Sequence, residues 1–348
     1  MGQVAKAKIQ SKIRAVAVYS GAHPAHQKLL ASCCSRSIKM LGEWSAGKRV
    51  PSGKKLLAYI STAWQLRSGI DNAIVIEGTT PTALMAPVIK LFNRRKKSII
   101  ALCADDALYR AFIEGGFLNR AAIRFGFRFV SGTIAIGDLT AKLAKAHLKT
   151  IPIEIRYPPV AEDKLNLLAP LEPMLDSHNL VLTGGGSQYC KGVDIAIKCL
   201  EILQSEFPDA KLTILGFHGI KEQPGLVAPG PVKDIRPYLS SASVLIHPAR
   251  GDAFPLVVIE AMLSGVVPFV SEWTGASSLA EKAFSELVIS LKPEDFAKKI
   301  ASFWHASEQH RKSLSDKCRQ EAVRFVAQIA DQASLLSFVE NLAHQAGG

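Results

Sequence analysis

The chain has 348 residues, 48% of them hydrophobic and 21% charged, which excludes a disordered protein and is long enough for two domains, each with its own core. Forty-two Lys and Arg against thirty Asp and Glu give a net charge of +12, so a polyanionic partner is expected: a nucleotide sugar, a phospholipid surface or nucleic acid. No apolar run reaches the ~18 to 20 residues that cross a bilayer, and the six cysteines show no CxxC pair and no metal-ligand spacing, as expected of small buried hydrophobes.

The start, MGQVAKAKIQSKIR, is basic but lacks the apolar core of a signal peptide, and Lys6 stands where a myristoylation motif needs Ser or Thr. The expected compartment is the cytoplasm, with peripheral contact at the inner membrane face as an option. Next, RAVAVYS (14–20), AIVIEG (73–78), SIIALCA (98–104) and TIAIG (133–137) are predicted as buried strands, with helices over 27–40, 54–68, 82–92 and 118–127 between them. That alternation implies a parallel sheet covered on both faces.

GFLNRAAIRFGFRF (116–129), preceded by NRRKK (93–97), mixes Phe with Arg. Such a helix either packs its Phe face inward under a solvated basic face or rests on anionic lipid. The basic residues carry no stacking series of aromatics and no nucleic-acid motif, so nucleic acid is not the expected partner.

The segment IRYPPVAEDKLNLLAPLEP is proline-rich, lacks periodicity and reads as a linker. The scheme then repeats, with strands over 179–184, 211–216, 243–247 and 266–271, helices near 193–205, 235–241 and 255–263, and a helical tail from 293. The expected fold is α/β: two Rossmann-like doubly wound domains facing a cleft, residues 1–165 and 166–348, the last helix able to cross back. Open α/β sheets bind ligands at the carboxyl ends of their strands, so loops of both domains would line that cleft.

TGGGSQYCKGVD (183–194) follows the first strand of the second domain, where glycines let a diphosphate approach, the next helix supplies N–H groups and Lys191 adds a charge. A dinucleotide fingerprint fails on spacing, because its third glycine would fall on Tyr189. Further on, HPARGDAFPLVVIEAMLSGVVPFVSEWTG (247–275) places Asp252 and Glu260 eight positions apart around a strand, a loop and a helix starting near Pro255. A capping role for Asp252 is the simple alternative, but Glu260 sits within the apolar run PLVVIEAML, where a charge seldom lies without a partner.

These residues resemble the family 4 glycosyltransferases of the GT-B fold, whose signature is E-x7-E within P-x-x-x-E-G-F-G-L-x-x-L-E-A-M-A-x-G-x-P-V-V. The chain has Pro248, Asp252, Ala253, Phe254, Pro255 and Leu256, then Ile259-Glu260-Ala261-Met262, Gly265 and Pro268, with Asp252 replacing the first Glu. The resemblance implies that Glu260 binds the ribose hydroxyls of a nucleotide diphosphate sugar. It implies that Asp252 binds a sugar hydroxyl beside the backbone of Ala253, Phe254, Pro255 and Leu256, and that Lys191 stabilises the departing diphosphate. The family's G-R-x-x-x-x-K-G is met at Gly185, Lys191 and Gly192, but its arginine falls on Gly186. Another cation then substitutes, Arg250 being the candidate, or turnover is slow or lost.

On the acceptor side the resemblance points to the loop after the first strand, where Gly21 matches and His23 and His26 follow, and to Ala104-Asp105, where the family has His-Asp; Glu77, in a polar loop after the preceding strand, either faces the expected cleft or caps the next helix. The expected activity is retaining transfer of a hexose from a nucleotide sugar to a hydroxyl of a glycan or lipid-linked acceptor. The alternative is a GT-B-shaped nucleotide-sugar-binding or scaffold subunit with weakened turnover. No cofactor is expected, and no metal, since no D-x-D signature is present.

Overall fold

A computed structural model describes residues 14–19, 24–40, 52–67, 69–91, 97–148, 151–330, 332 and 334–347. Its first half contains strands β1 (Ala15–Tyr19), β2 (Arg36–Lys39), β3 (Ala73–Glu77), β4 (Ser98–Cys103), β5 (Gly132–Ile136) and β6 (Ile153–Arg156). Between them run helices α1 (Pro24–Ala31), α2 (Ser52–Arg67), α3 (Thr79–Leu91), α4 (Ala107–Tyr109), continued by a π-helical turn at Arg110–Glu114, α5 (Phe117–Phe127) and α6 (Gly137–His147). The connecting helix α7 (Glu162–Leu168) leads to β7 (Asn179–Thr183), α8 (Val193–Gln204), β8 (Lys211–Leu215), β9 (Leu226–Gly230), α9 (Arg236–Ser240) and β10 (Val244–His247). Then come α10 (Leu256–Leu263), β11 (Val267–Ser271), α11 (Ser277–Ala283), β12 (Val288–Ile289), α12 (Pro293–His305), α13 (Glu308–Ala330) and α14 (Leu335–Gly347).

Two six-stranded sheets result, ordered β2-β1-β3-β4-β5-β6 and β12-β11-β10-β7-β8-β9. All their strand pairings are parallel. The period of two sorts side chains to opposite faces. In the first sheet Val16, Val18, Ile74, Ile76, Ile99 and Ala101 pack under α2, α3 and α5. The alternate residues Ala17, Val75, Ile100, Leu102, Ile134 and Ile136 join the core that runs on into the second half. The C-terminal helix covers that side: Ser98 Oγ donates to the Leu342 carbonyl, and Leu342 and Phe338 crowd the face of Gly132.

The helix expected over 27–40 ends at Ala31, and Arg36–Lys39 form an edge strand with mostly exposed side chains. Three side chains of four facing solvent leave such a strand no apolar alternation to read. The segment taken as linker is more ordered than expected, since it holds β6 and α7. Of the basic run at 93–97, residues 93–96 lie outside the described residues. Lys97 is buried, its Nζ donating to the carbonyls of Leu66 (2.7 Å) and Gly69 (2.6 Å), which ties the end of α2 to the start of β4.

Helix α5 departs from the inward packing expected for its phenylalanines. Ile123 and Phe127 are buried, but Phe117 and Leu118 are each 81% exposed and Phe125 is 51% exposed. Its inner face meets α3 almost backbone to backbone at Gly126, where an added Cβ would lie 2.1 Å from the Ala83 carbonyl oxygen. No helix among the described residues is long and apolar enough to cross a membrane.

Replacing Gly126 by Ala must push α3 and α5 apart, an overpacking that costs ~1 to 3 kcal/mol. The urea midpoint of Gly126→Ala is expected to fall accordingly at unchanged m-value, whereas Gly116→Ala, at a site open to solvent, should leave it within error.

Candidate active site in the cleft

Strand β10 ends at His247, and the loop that follows is fastened to the loop after β11. Asp252 N–H donates to the Trp273 carbonyl (3.1 Å) and Gly275 N–H to the Asp252 carbonyl (2.7 Å). The approach is so close that a Cβ on Gly275 would overlap the Ala253 carbonyl oxygen at 1.6 Å. Pro255 is extended (ψ 112°) and stands at the N-cap of α10, one residue before the helix rather than in its first turn. No side chain caps α10, so its first N–H groups, at Leu256 and Val257, are left at the cleft that both residues line.

The Asp252 carboxylate receives two contacts from separate elements: the Lys191 ammonium, from the loop before α8, and His247 Nε2 at 3.0 Å. Burial alone would raise this carboxyl, but Lys191 and the imidazole hydrogen bond together hold it far below the usual carboxylate range. Burial lowers His247, so the ring is neutral. With Asp252 ionised, Nε2 carries the proton and donates it, and Nδ1 is left as a buried lone pair without a partner among the described residues.

Glu260 is buried on α10 and is paired by the Lys164 ammonium from α7. Lys164 was missed in the sequence because it lies 96 positions from its partner in an aperiodic segment. Thr183, Gly184, Gly185, Lys191, Asp252 and Glu260 surround a cavity of about 560 Å³. His26, Ala104 and Ile136 of the first half close it from the other side.

The glycines of the loop differ in what they do. Gly192 takes a left-handed backbone (φ 68°) against the Pro248 carbonyl, where a Cβ would sit 1.9 Å from the oxygen, so no larger residue fits at the start of α8. Gly186 is also left-handed (φ 82°) but faces open space. A side chain at the family's arginine position would find room but a strained backbone, at ~1 to 2 kcal/mol.

Arg250 does not reach the cavity as a substitute cation. Its guanidinium is engaged in a two-pronged bond to Asp194 (2.8 and 2.7 Å), a bond to the Tyr189 carbonyl (2.7 Å) and stacking on the Tyr189 ring at 4.0 Å. Asp194 lies at the start of α8, so this pair stiffens the outer wall of the glycine loop. Phe254, Pro255 and Leu256 line the cavity, while Ala253 is buried behind them.

On the first domain, Gly21 and His23 lie outside the described residues. His26 Nδ1 is 2.8 Å from Glu77 Oε1. Glu77 lines a second cavity, also about 560 Å³, with Lys55, Tyr59, Thr80, Asp105 and Arg110, and Ala104 borders both cavities. Capping of α3 falls to Asp105, which accepts from Thr79 N–H (3.2 Å) and Thr79 Oγ1 (2.9 Å); burial raises its carboxyl and the Thr79 bonds oppose that rise. Across the cleft, Tyr109 packs on the face of Gly251 and meets Trp273 edge-on at 4.9 Å.

Residues 177–306 match the family described as glycosyl transferases group 1. A search of curated protein sequences returns no match. Solved structures share the fold at low identity. TarM is 14% identical with a TM-score of 0.61, over 83% of this chain, which spans only 58% of the TarM chain. WaaG, a glycosyltransferase involved in lipopolysaccharide biosynthesis, is 17% identical with a TM-score of 0.62 over 97% of this chain and 100% of its own. HepE of Anabaena, solved in complex with UDP, is 14% identical with a TM-score of 0.62 over 92% and 99%.

His247 links the site to pH. Its native pKa lies below the unfolded value of 6.5, so below about pH 6.5 the unfolded chain binds a proton that the native ring refuses, and stability falls as pH falls. Asp252, depressed in the native state, adds its own loss only at lower pH, as the medium passes below the ordinary carboxylate range. Urea titrations at about pH 7 and about pH 5.5 should show a smaller stability difference for His247→Asn than for the parent chain. An equal or larger difference would mean that His247 is not the group responsible. The parallel double sheet and the cleft residues agree with the sequence match: the chain has the GT-B fold, and its residues 177–306 match the glycosyl transferases group 1 family.

Proposed function

We propose that the protein transfers a hexose, with retention, from a nucleotide diphosphate sugar to a hydroxyl of a glycan or lipid-linked acceptor, residues 166–348 holding the sugar donor and residues 1–165 the acceptor. The observation that carries this reading is the convergence of Asp252, Glu260, Lys191 and the uncapped start of α10 on one cavity. Glu260 accepts hydrogen bonds from the ribose hydroxyls, the N–H groups of α10 and Lys191 take the diphosphate, and Asp252 accepts from a sugar hydroxyl.

In this reading the bond from the anomeric carbon to the diphosphate oxygen breaks as the acceptor oxygen bonds to the same face of that carbon. The acceptor's proton passes to the departing phosphate. Lys191 and Lys164 stabilise the charge that develops there, with no metal required. Lys164 serves as the second cation that Gly186 cannot be, leaving Glu260 when ribose arrives. His26 lines the same cavity as Ala104, where the family has histidine, and Glu77 is bonded to its ring. These two placements favour an enzyme over a subunit that only binds the nucleotide sugar.

Saturation-transfer NMR and calorimetry with UDP, GDP, ADP and their sugars test the donor site. Glu260→Ala is expected to weaken the preferred nucleotide by ~10-fold or more. Lys191→Ala should lower kcat by ~100-fold or more with a smaller change in KM. Lys164→Gln should weaken the nucleoside diphosphate while leaving the free nucleoside unchanged, and an equal loss for both would remove Lys164 from the phosphate site. Failure of the parent chain to bind any nucleotide sugar would sink the donor assignment.

A further inference from the structure

The outer face of the first domain is built from α2, α3 and α5, packed side by side with α3 in the middle. Together these helices contain six Lys or Arg and no Asp or Glu, against a net charge of +12 for the whole chain. Many of their outward side chains are apolar. On α2 Leu57 (69% exposed) and Trp64 follow each other at i and i+7; on α3 Leu84 and Leu91 (65%) do the same; and on α5 Phe117, Leu118 and Phe125 form one stripe. The near-contact of Gly126 with Ala83 keeps the α3 and α5 stripes adjacent.

Not every cation on these helices faces outward. Lys90 Nζ donates to the Lys97 carbonyl, and the Arg120 guanidinium bonds the carbonyls of Ala111 (3.2 Å) and Gly115 (2.7 Å). Lys54 and, just past α5, Arg128 are exposed; Arg124 is exposed too, with its Nε donating to the His147 carbonyl (3.2 Å), and Arg67 stacks on the Trp64 ring at 3.7 Å. The nearby Glu114 turns toward the second domain, where it accepts from the Tyr189 hydroxyl (3.3 Å). The surface is therefore a contiguous apolar field set among cations, with no carboxylate on the helices that form it.

Large exposed apolar fields mark interaction sites. A second copy of the chain would bring this cationic face against its own like charge, and nucleic acid would leave the phenylalanines without a partner. A bilayer with anionic headgroups satisfies both components, since its acyl boundary takes the apolar side chains and its phosphates take the cations.

We infer that the α2-α3-α5 face docks the protein on an anionic lipid membrane. The second cavity opens at the edge of this face, because Leu56 of α2 and Leu84 of α3 are both exposed on it and line the cavity. Docked in this way, the cavity takes an acceptor whose polar head is presented from the bilayer. That last step rests on the acceptor assignment above, whereas the docking itself does not.

Flotation of the full chain with vesicles tests the docking. The protein is expected to float with phosphatidylcholine vesicles containing ~30% phosphatidylglycerol, to bind pure phosphatidylcholine at least ~10-fold more weakly, and to be released by salt. Phe117→Ser/Leu118→Ser and, on a separate helix, Leu57→Gln/Trp64→Gln should each lower binding by ~10-fold or more. Arg124→Glu/Arg128→Glu should remove the preference for anionic lipid. Nucleotide binding by all three variants should stay at the parent level, so failure of the docking and failure of the donor site are read separately.

The inference is overturned if the parent chain does not float at low salt, or if none of the variants changes flotation. A parent dimer that the variants convert to monomer by light scattering would assign the face to self-association. Displacement from vesicles by a duplex oligonucleotide would assign it to nucleic acid.

Discussion

A carboxylate largely removed from water has to be compensated where it stands, and the cleft is organised around doing so for Asp252. Its two partners come from different elements, His247 from the end of β10 and Lys191 from the loop before α8. The parallel pairing of β10 with β7 brings those two elements side by side. Losing Lys191 would leave the largely buried carboxylate without an opposite charge, a far larger penalty than the pair's net contribution to stability. The loop that carries Asp252 is held in turn by the Gly275 N–H and by a contact that only glycine allows. The site's geometry thus follows from strand order, from two close backbone approaches and from one compensated charge.

The same logic extends to the rest of the cleft. Each carboxylate that lines the cleft cavity is matched by an ammonium: Asp252 by Lys191 and Glu260 by Lys164. A ligand that brings hydroxyls to the carboxylates and phosphates to the ammonium groups exchanges these internal pairs for its own, with little unpaired charge at any stage. Arg250 is outside this exchange because Asp194 and the Tyr189 ring already satisfy it.

Part of the basic balance of the chain has a location in the fold. Three adjacent helices carry cations without a single carboxylate, and their outward apolar side chains add to this a component that electrostatics alone would not predict. Charge sets long-range attraction, whereas exposed aromatic area sets how firmly a surface stays at an interface. The two occur on the same face, at the edge of the second cavity.

By itself the sequence determined the strands that are buried on both faces, because continuous apolar runs between glycines have few other placements. It also determined the Asp252 to Glu260 spacing and the glycine turn before α8, since these are local: eight residues across one loop and one helix turn. The edge strand at Arg36–Lys39 was not legible, because a strand with one free edge and solvated side chains carries no apolar period. Only tertiary structure decided the pairs Lys164–Glu260, Lys191–Asp252 and His26–Glu77, which join positions 96, 61 and 51 residues apart. It alone showed that Arg250 is engaged elsewhere and that Phe117 and Leu118 face outward. A local pattern says that a helix has an apolar face; whether a neighbour covers that face depends on how many elements reach it, and at α2, α3 and α5 no further layer of the described fold does.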